Sequence, residues 1–320
     1  MQTVSNMEKS AIYRAWGSIK EIMPKTLKTC LWLIRITVLV TLGVQFLEYF
    51  EILPWISKFL SPVFNLMGLP GEAALAYVSG FFVNNYSAIA VMATLNLDVR
   101  SITILAVMLL CSHNMITETA VQKKTGSSGV RMFVIRVLSA FILGFTLNLI
   151  MPESTEAVKI TIPVSELTFM EMMEIWLYKT LRLIVLMSVL IFSLSILQKL
   201  LSEFGIIKWL SRFLKPILAV FGLPAKTSFL WIVANTLGLA YGAAVMIDET
   251  ESGKITREDV DLLNHHIGIS HSNLEDVILY GSIGALLGWM LISRWIMSFI
   301  LVWELRLEMA LRKKFHTFAG

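Results

Sequence analysis

Four long apolar runs restrict what this chain can become. "CLWLIRITVLVTLGVQFL", "MFVIRVLSAFILGFTLNLIM", "LIVLMSVLIFSLSIL" and "IGALLGWMLISRWIMSFILVW" are continuously hydrophobic. A helix of about 20 residues crosses a bilayer core, and only helices or closed barrels satisfy their backbone there. Barrel strands alternate apolar and polar residues, so continuous runs exclude a barrel. The fold class is therefore all-α, a polytopic integral membrane protein. Of the 320 residues, 56% are hydrophobic and 16% charged, against about 25% charged in soluble domains. No cleavable leader is evident at the N-terminus. Cys30 and Cys111 have no motif spacing and imply no disulfide framework. The net charge of +4 reads as topology rather than as a nucleic-acid surface.

The chain repeats itself. "WISKFLSPVFNLMGLP" (Trp55 to Pro70) matches "WLSRFLKPILAVFGLP" (Trp209 to Pro224) without gaps. The register continues to the two "AVM" triplets at Ala90 and Ala244, and after an insertion Ser112-His113 aligns with Ser270-His271. Each copy has an apolar helix a, a Trp-led amphipathic segment ending in Gly-Leu-Pro, a Gly/Asn-containing segment b, a Ser-His segment c and an apolar helix d. The Trp-led segments fit an interfacial position.

Basic loops mark the cytoplasmic side. Lys9 to Lys28, the group Lys123, Lys124, Arg131 and Arg136, the group Lys199 to Lys215, and the tail Arg306 to Lys314 are assigned inside. The connection carrying Glu153, Glu156, Glu166, Glu171 and Glu174 is assigned outside. Each copy then crosses an odd number of times, which makes the repeats inverted, with re-entrant or broken helices. Parity makes c a re-entrant hairpin, turning near Cys111 to Asn114 and near Gly268 to Ser272, and puts "DETESGKITREDVD" outside. The expected segments are a cytoplasmic N-terminal segment (1–26), a first membrane repeat (27–152), an extracytoplasmic connection (153–174), a second repeat (175–305) and a basic cytoplasmic tail (306–320).

Non-helical backbone at membrane depth must be buried in protein or line a wet cavity. Inverted-repeat transporters place their substrate there. His113 and His271 are the leading site candidates, because imidazole binds a metal, relays a proton or hydrogen-bonds a solute. The plainer reading is a histidine tied to a backbone carbonyl. Glu118 and Glu275 follow, since an intramembrane carboxylate costs roughly 2.5 to 3.5 kcal/mol and needs a partner, cavity or proton. An ion pair with Lys123 or Lys124 is the plainer reading for Glu118. Asp276 adjoins Glu275 and is expected to face elsewhere. Asn84, Asn85, Asn235 and Ser270 complete the substrate-binding set, with glycine packing as the alternative role for segment b. Cys111 beside His113 is a weak soft-metal candidate, and His265 and His266 lack zinc-site spacing. No nucleophile elbow, Walker loop or HExxH occurs, so no enzyme and no cofactor is read; a hydrolase using Ser112 and His113 is the remaining enzymatic option.

"ANTLGLAYGAAVM", the Gly-Leu-Pro segments and "SHSNLED" resemble the nucleoside-recognition, or Gate, family, which includes spore maturation proteins A and B. The resemblance spans about 30–150 and 175–305. It implies a multi-pass protein of the bacterial cytoplasmic (inner) membrane, of transporter type, and points to Asn235, His271 and Glu275. Spore maturation A-like proteins show Asn-Ala-Ala-Thr-Pro where this chain has Ala240-Tyr241-Gly242-Ala243-Ala244. The leading expectation is a permease for a small polar solute such as a nucleoside. Two alternatives stand beside it, a divalent-metal permease and a non-transporting envelope-maturation factor. The expected partners are the bilayer and a small-molecule or ion substrate, with homo-oligomerisation left open. A metal site brings His113 and His271 into one coordination sphere, a solute site opens an amide-lined cavity, and a purely structural role needs neither.

Overall fold

The computed structural model describes residues 2–50, 52–153, 168–251 and 253–319. Helices account for nearly all of them, with no strand among the described residues. Residues 154–167 of the acidic connection lie outside the described residues. Helix a of each copy is long: α1 (Gln2–Tyr49) and α8 (Phe169–Glu203). Thus α1 runs unbroken through the expected boundary at residue 26, and α8 begins inside the expected connection. A capping box at Thr168 and Glu171 starts α8 by satisfying its free N–H groups.

The amphipathic segments are α2 (Ile52–Phe64) and α9 (Ile206–Val220). Each ends on a left-handed glycine, Gly68 at φ 65° and Gly222 at φ 74°. Leu69 N then bonds Phe64 O at 3.0 Å, and Leu223 N bonds Leu218 O at 2.9 Å, capping the exposed carbonyls. Only glycine takes this conformation without a Cβ penalty, which explains the repeated Gly-Leu-Pro.

Segment b is two short helices in each copy: α3 (Ala73–Phe82) and α4 (Asn85–Met92), then α10 (Ser228–Thr236) and α11 (Leu239–Glu251). At about 1.5 Å per residue, the 10 residues of α3 span roughly half of a bilayer core of about 30 Å. The helices instead fold back and pack on each other. A Cβ on Gly80 would stand 2.9 Å from Ala88 Cβ, and one on Gly242 would stand 3.0 Å from Ala234 Cβ. Close packing between small residues therefore holds both hairpins shut.

Segment c is α5 (Val99–Ser112) with α6 (Met115–Thr125), and α12 (Arg257–Ser270) with α13 (Glu275–Gly281). Here the expectation is corrected. It is b that turns back, because its halves pack together. The halves of c barely touch each other, and Val99–Thr125 is long and apolar enough to span. The break falls where expected, at His113 and His271, both extended, followed by left-handed Asn114 (φ 46°) and Ser272 (φ 53°). Helix d is α7 (Gly129–Ile150) and α14 (Leu287–Ala319).

Among the described residues, four helices are long and apolar enough to cross a membrane: Ala11–Leu47, Val99–Thr125, Gly129–Ile150 and Phe169–Glu203. Equivalent helices of the two copies pack on one another, α1 on α8, α5 on α12 and α7 on α14. The contacts Arg14–Glu203, Glu21–Lys199, Cys30–Ser188 and Thr41–Trp176 run in opposite sequence order, so α1 and α8 are antiparallel. The loop after α11 is also repositioned. Asp261 accepts from Ser127, Asn264 donates to Thr125, and Lys313 pairs with Glu258. These contacts put the start of α12 on the face of the Lys123–Arg131 loop and the C-terminal tail, opposite to the expected outer side.

Candidate functional site

Breaking c frees carbonyl groups in the middle of the fold. Buried polar backbone must find partners, and two arginines on helix d supply them. Arg136 donates from Nε to Cys111 O (2.9 Å) and from Nη2 to His113 O (2.8 Å). Arg294 donates from Nε to Ile269 O (2.7 Å) and from Nη2 to His271 O (2.6 Å). Both side chains are fully buried. The hairpins brace the same breaks, through Asn114 N to Gly80 O at 2.9 Å and Ser272 N to Ala234 O at 3.3 Å.

The histidines then face each other, ring centroids 5.1 Å apart. His113 Nδ1 lies 2.9 Å from Leu109 O, and His271 Nδ1 lies 2.7 Å from Ile267 O. A carbonyl only accepts, so each Nδ1 carries the proton and donates. Both Nε2 atoms point at one carboxylate oxygen, Glu118 Oε1, each at 3.2 Å. Arg136 Nη2 holds the other oxygen at 2.6 Å. Asp276 Oδ2 stands 3.5 Å from His113 Nε2. The pairing is reciprocal. Glu118 of the first copy meets His271 of the second, and Asp276 of the second meets His113 of the first.

Beside the cluster is a cavity of about 250 Å³. Its wall uses equivalent positions of both copies: Asn84 and Gly238, Asn85 and Leu239, Asn114 and Ser272, Glu118 and Asp276. His113 and Glu275 also face it. Asn84 caps α4 by accepting from Ser87 N at 2.9 Å. Asn85 accepts from Tyr280 at 2.8 Å, while its Nδ2 has no acceptor. A second cavity, of about 410 Å³, opens between α1 and α8 and shares Leu237 and Glu275 with the first. Glu275 is held there by Tyr86 and Gln198, each at 3.1 Å.

Of the residues expected in the site, His113, Glu118, Asn84, Asn85 and Glu275 line the central cavity, and His271 stands behind it in the cluster. Asn235 lies elsewhere: it bonds Trp231 O in its own helix and accepts from Asn273, bracing the break. Ser270 is buried against His266. Cys111 is buried, with its carbonyl engaged by Arg136, and it is outside the cluster of potential ligands. The partner of Glu118 in the repeat is Asp276, not Glu275, since the offset of 158 that relates Ser112 to Ser270 carries 118 to 276. Asp276 therefore faces the centre, contrary to expectation. Arg136, expected in a cytoplasmic loop, is buried in α7. The same offset carries it to Arg294 inside the last apolar run, a signal available in the sequence.

A family model described as nucleoside recognition (Gate) matches residues 30–129. The chain is 31% identical over 252 residues to "Uncharacterized membrane protein YvoD" of Bacillus subtilis (strain 168), covering 77% of this chain and 80% of the relative. No solved structure matches the chain.

Proposed function

The chain belongs to the nucleoside-recognition (Gate) family of membrane proteins, and on that premise we propose that it is a permease for a small polar solute of nucleoside type. The observation carrying this reading is the central cavity, walled by paired positions from both copies. Its volume, about 250 Å³, is just below the roughly 300–1,000 Å³ typical of pockets for drug-sized ligands. Amides, hydroxyls and carboxylates suit hydroxyl- and amide-bearing solutes. A role limited to satisfying broken helices would not require such a space.

The arrangement supports a transport reading. The antiparallel α1 and α8 and the reciprocal histidine–carboxylate pairs support inverted repeats around one shared site, an architecture that many alternating-access transporters use. In the conformation described, the second cavity is the vestibule. It lies beside Lys25 and Lys199, on the side assigned to the cytoplasm with both termini, in a bacterial inner membrane. Glu275, at the junction of the two cavities, forms the inner gate with Tyr86 and Gln198. Uptake of labelled nucleosides into vesicles containing the purified protein tests this. Saturable uptake, lowered at least about tenfold by Asn85→Ala, supports the reading. Absence of uptake and of thermal stabilisation by any nucleoside overturns it.

A further inference from the structure

Three potential ligand atoms converge from both copies: His113 Nε2, His271 Nε2 and Glu118 Oε1, all within 4.8 Å of one another. Their other valences are fixed. Each Nδ1 donates to a carbonyl in the preceding helical turn, and the second Glu118 oxygen is held by Arg136. With Nδ1 protonated, a neutral ring presents its Nε2 lone pair to the carboxylate. Lone pairs on three atoms at this spacing repel unless a proton or a metal ion lies among them, and one proton on an Nε2 satisfies only one of the two histidine–Glu118 contacts.

We propose that this cluster is a binding site for a first-row divalent transition-metal ion of the zinc or ferrous class. The donor set selects the class. Imidazole nitrogens suit zinc, iron and nickel, whereas magnesium and calcium prefer oxygen alone. A soft thiolate site for cuprous ion is disfavoured, since Cys111 lies outside the group. The spacing fits as well. Ligands about 2.1 Å from a tetrahedral ion stand roughly 3.4 Å apart, and both histidine-to-Glu118 distances are 3.2 Å. Carbonyls on Nδ1 and a cation on the second carboxylate oxygen are the outer partners that orient metal ligands.

His113 and Glu118 face the central cavity, which supplies an entry path and room for water or solute at the open coordination positions. Asp276, 3.5 Å from His113 Nε2, adds negative charge on the same wall. Because the two copies donate different ligands, the ion would bridge them and couple their relative movement to its occupancy. The site does not depend on the nucleoside reading, and a metal-binding assay judges it separately.

The test is titration of the chelator-stripped full chain in detergent with Co²⁺, followed by visible absorption and by competition with Zn²⁺. One saturable site per chain is expected, weakened more than about tenfold by His113→Ala, by His271→Ala or by Glu118→Gln, and unchanged in Cys111→Ser. Gel filtration and thermal melting establish that the variants fold. X-ray absorption of the Co²⁺-loaded wild type is expected to show imidazole scattering and no sulfur, and needs no variant. Absence of saturable binding, sulfur ligation, or full binding in a folded variant lacking both imidazoles overturns the proposal.

Discussion

His113 Nε2 stands 3.5 Å from Asp276 Oδ2, while the matching residues of the opposite copies, His271 and Glu118, stand 3.2 Å apart. Each copy thus gives an imidazole to the other's carboxylate. Residues sharing one polar network couple energetically. His271→Gln and Glu118→Gln, combined in a thermal-unfolding cycle, are expected to show an interaction of about 1 kcal/mol or more. The pair His113→Gln and Asp276→Asn is expected to do the same. Additivity within about 0.3 kcal/mol in both cycles would contradict the reciprocal arrangement.

The two buried arginines hold the helix breaks. Removing one strands two carbonyls in the fold interior, each costing about 1–3 kcal/mol. Arg136→Leu is therefore expected to lower the melting temperature by several degrees or prevent folding, and Arg294→Leu likewise. Lysine, a point charge without the planar fork, is not expected to restore either. A melting curve matching the wild type for Arg294→Lys would show that bidentate capture is unnecessary.

The hairpin contact offers a compensation test. In the first copy the glycine is on the first arm (Gly80 against Ala88), and in the second it is on the return arm (Ala234 against Gly242). Gly80→Ala alone crowds Ala88 and is expected to cost about 1–3 kcal/mol. Adding Ala88→Gly recreates the arrangement of the second copy and is expected to recover most of the loss in thermal melts. A double variant no better than the single one would mean that Leu109, 2.5 Å from the added Cβ, is the true obstacle.

Glu275 joins the two cavities under hydrogen bonds from Tyr86 and Gln198. In a background lacking Cys30 and Cys111, Ser272→Cys is expected to react slowly with a membrane-impermeant thiol reagent applied from the cytoplasmic side. Gln198→Ala, which leaves Glu275 held by Tyr86 alone, is expected to speed labelling several-fold. Equal rates would remove Gln198 from the gate.

Much of this was legible in the sequence. Three of the four apolar runs lie in helices long and apolar enough to span, the Trp-led segments mark the repeat, and the polar His113-Asn114 pair locates a break; the fourth span, Val99–Thr125, is the one the runs do not announce. Hydropathy does not reveal which of b and c turns back, because it records length and polarity but not whether two half-helices pack together. That depended on Gly80 meeting Ala88 across the turn. Asp276 escapes the sequence reading because Glu275, four residues after His271, would share its face on an unbroken helix, a rule that fails once a left-handed Ser272 interrupts the helix. Arg136 reads as loop charge, since a lone arginine near Lys123 and Arg131 looks like topology until it is matched with its counterpart Arg294 within an apolar run. Asn235 and Ser270 are polar residues of the right kind whose bonds close within their own neighbourhood.

The proposed shared site requires the two copies to be oppositely oriented in the membrane. Lys58 and Arg212 are equivalent, exposed positions on α2 and α9. Single cysteines there, in a chain lacking Cys30 and Cys111, can be labelled with an impermeant reagent in sealed cells and in inverted vesicles. Opposite orientation requires Lys58→Cys to react only from outside and Arg212→Cys only from the cytoplasmic side. Labelling of both from the same side would mean that the copies are parallel, and the shared-site account would fall.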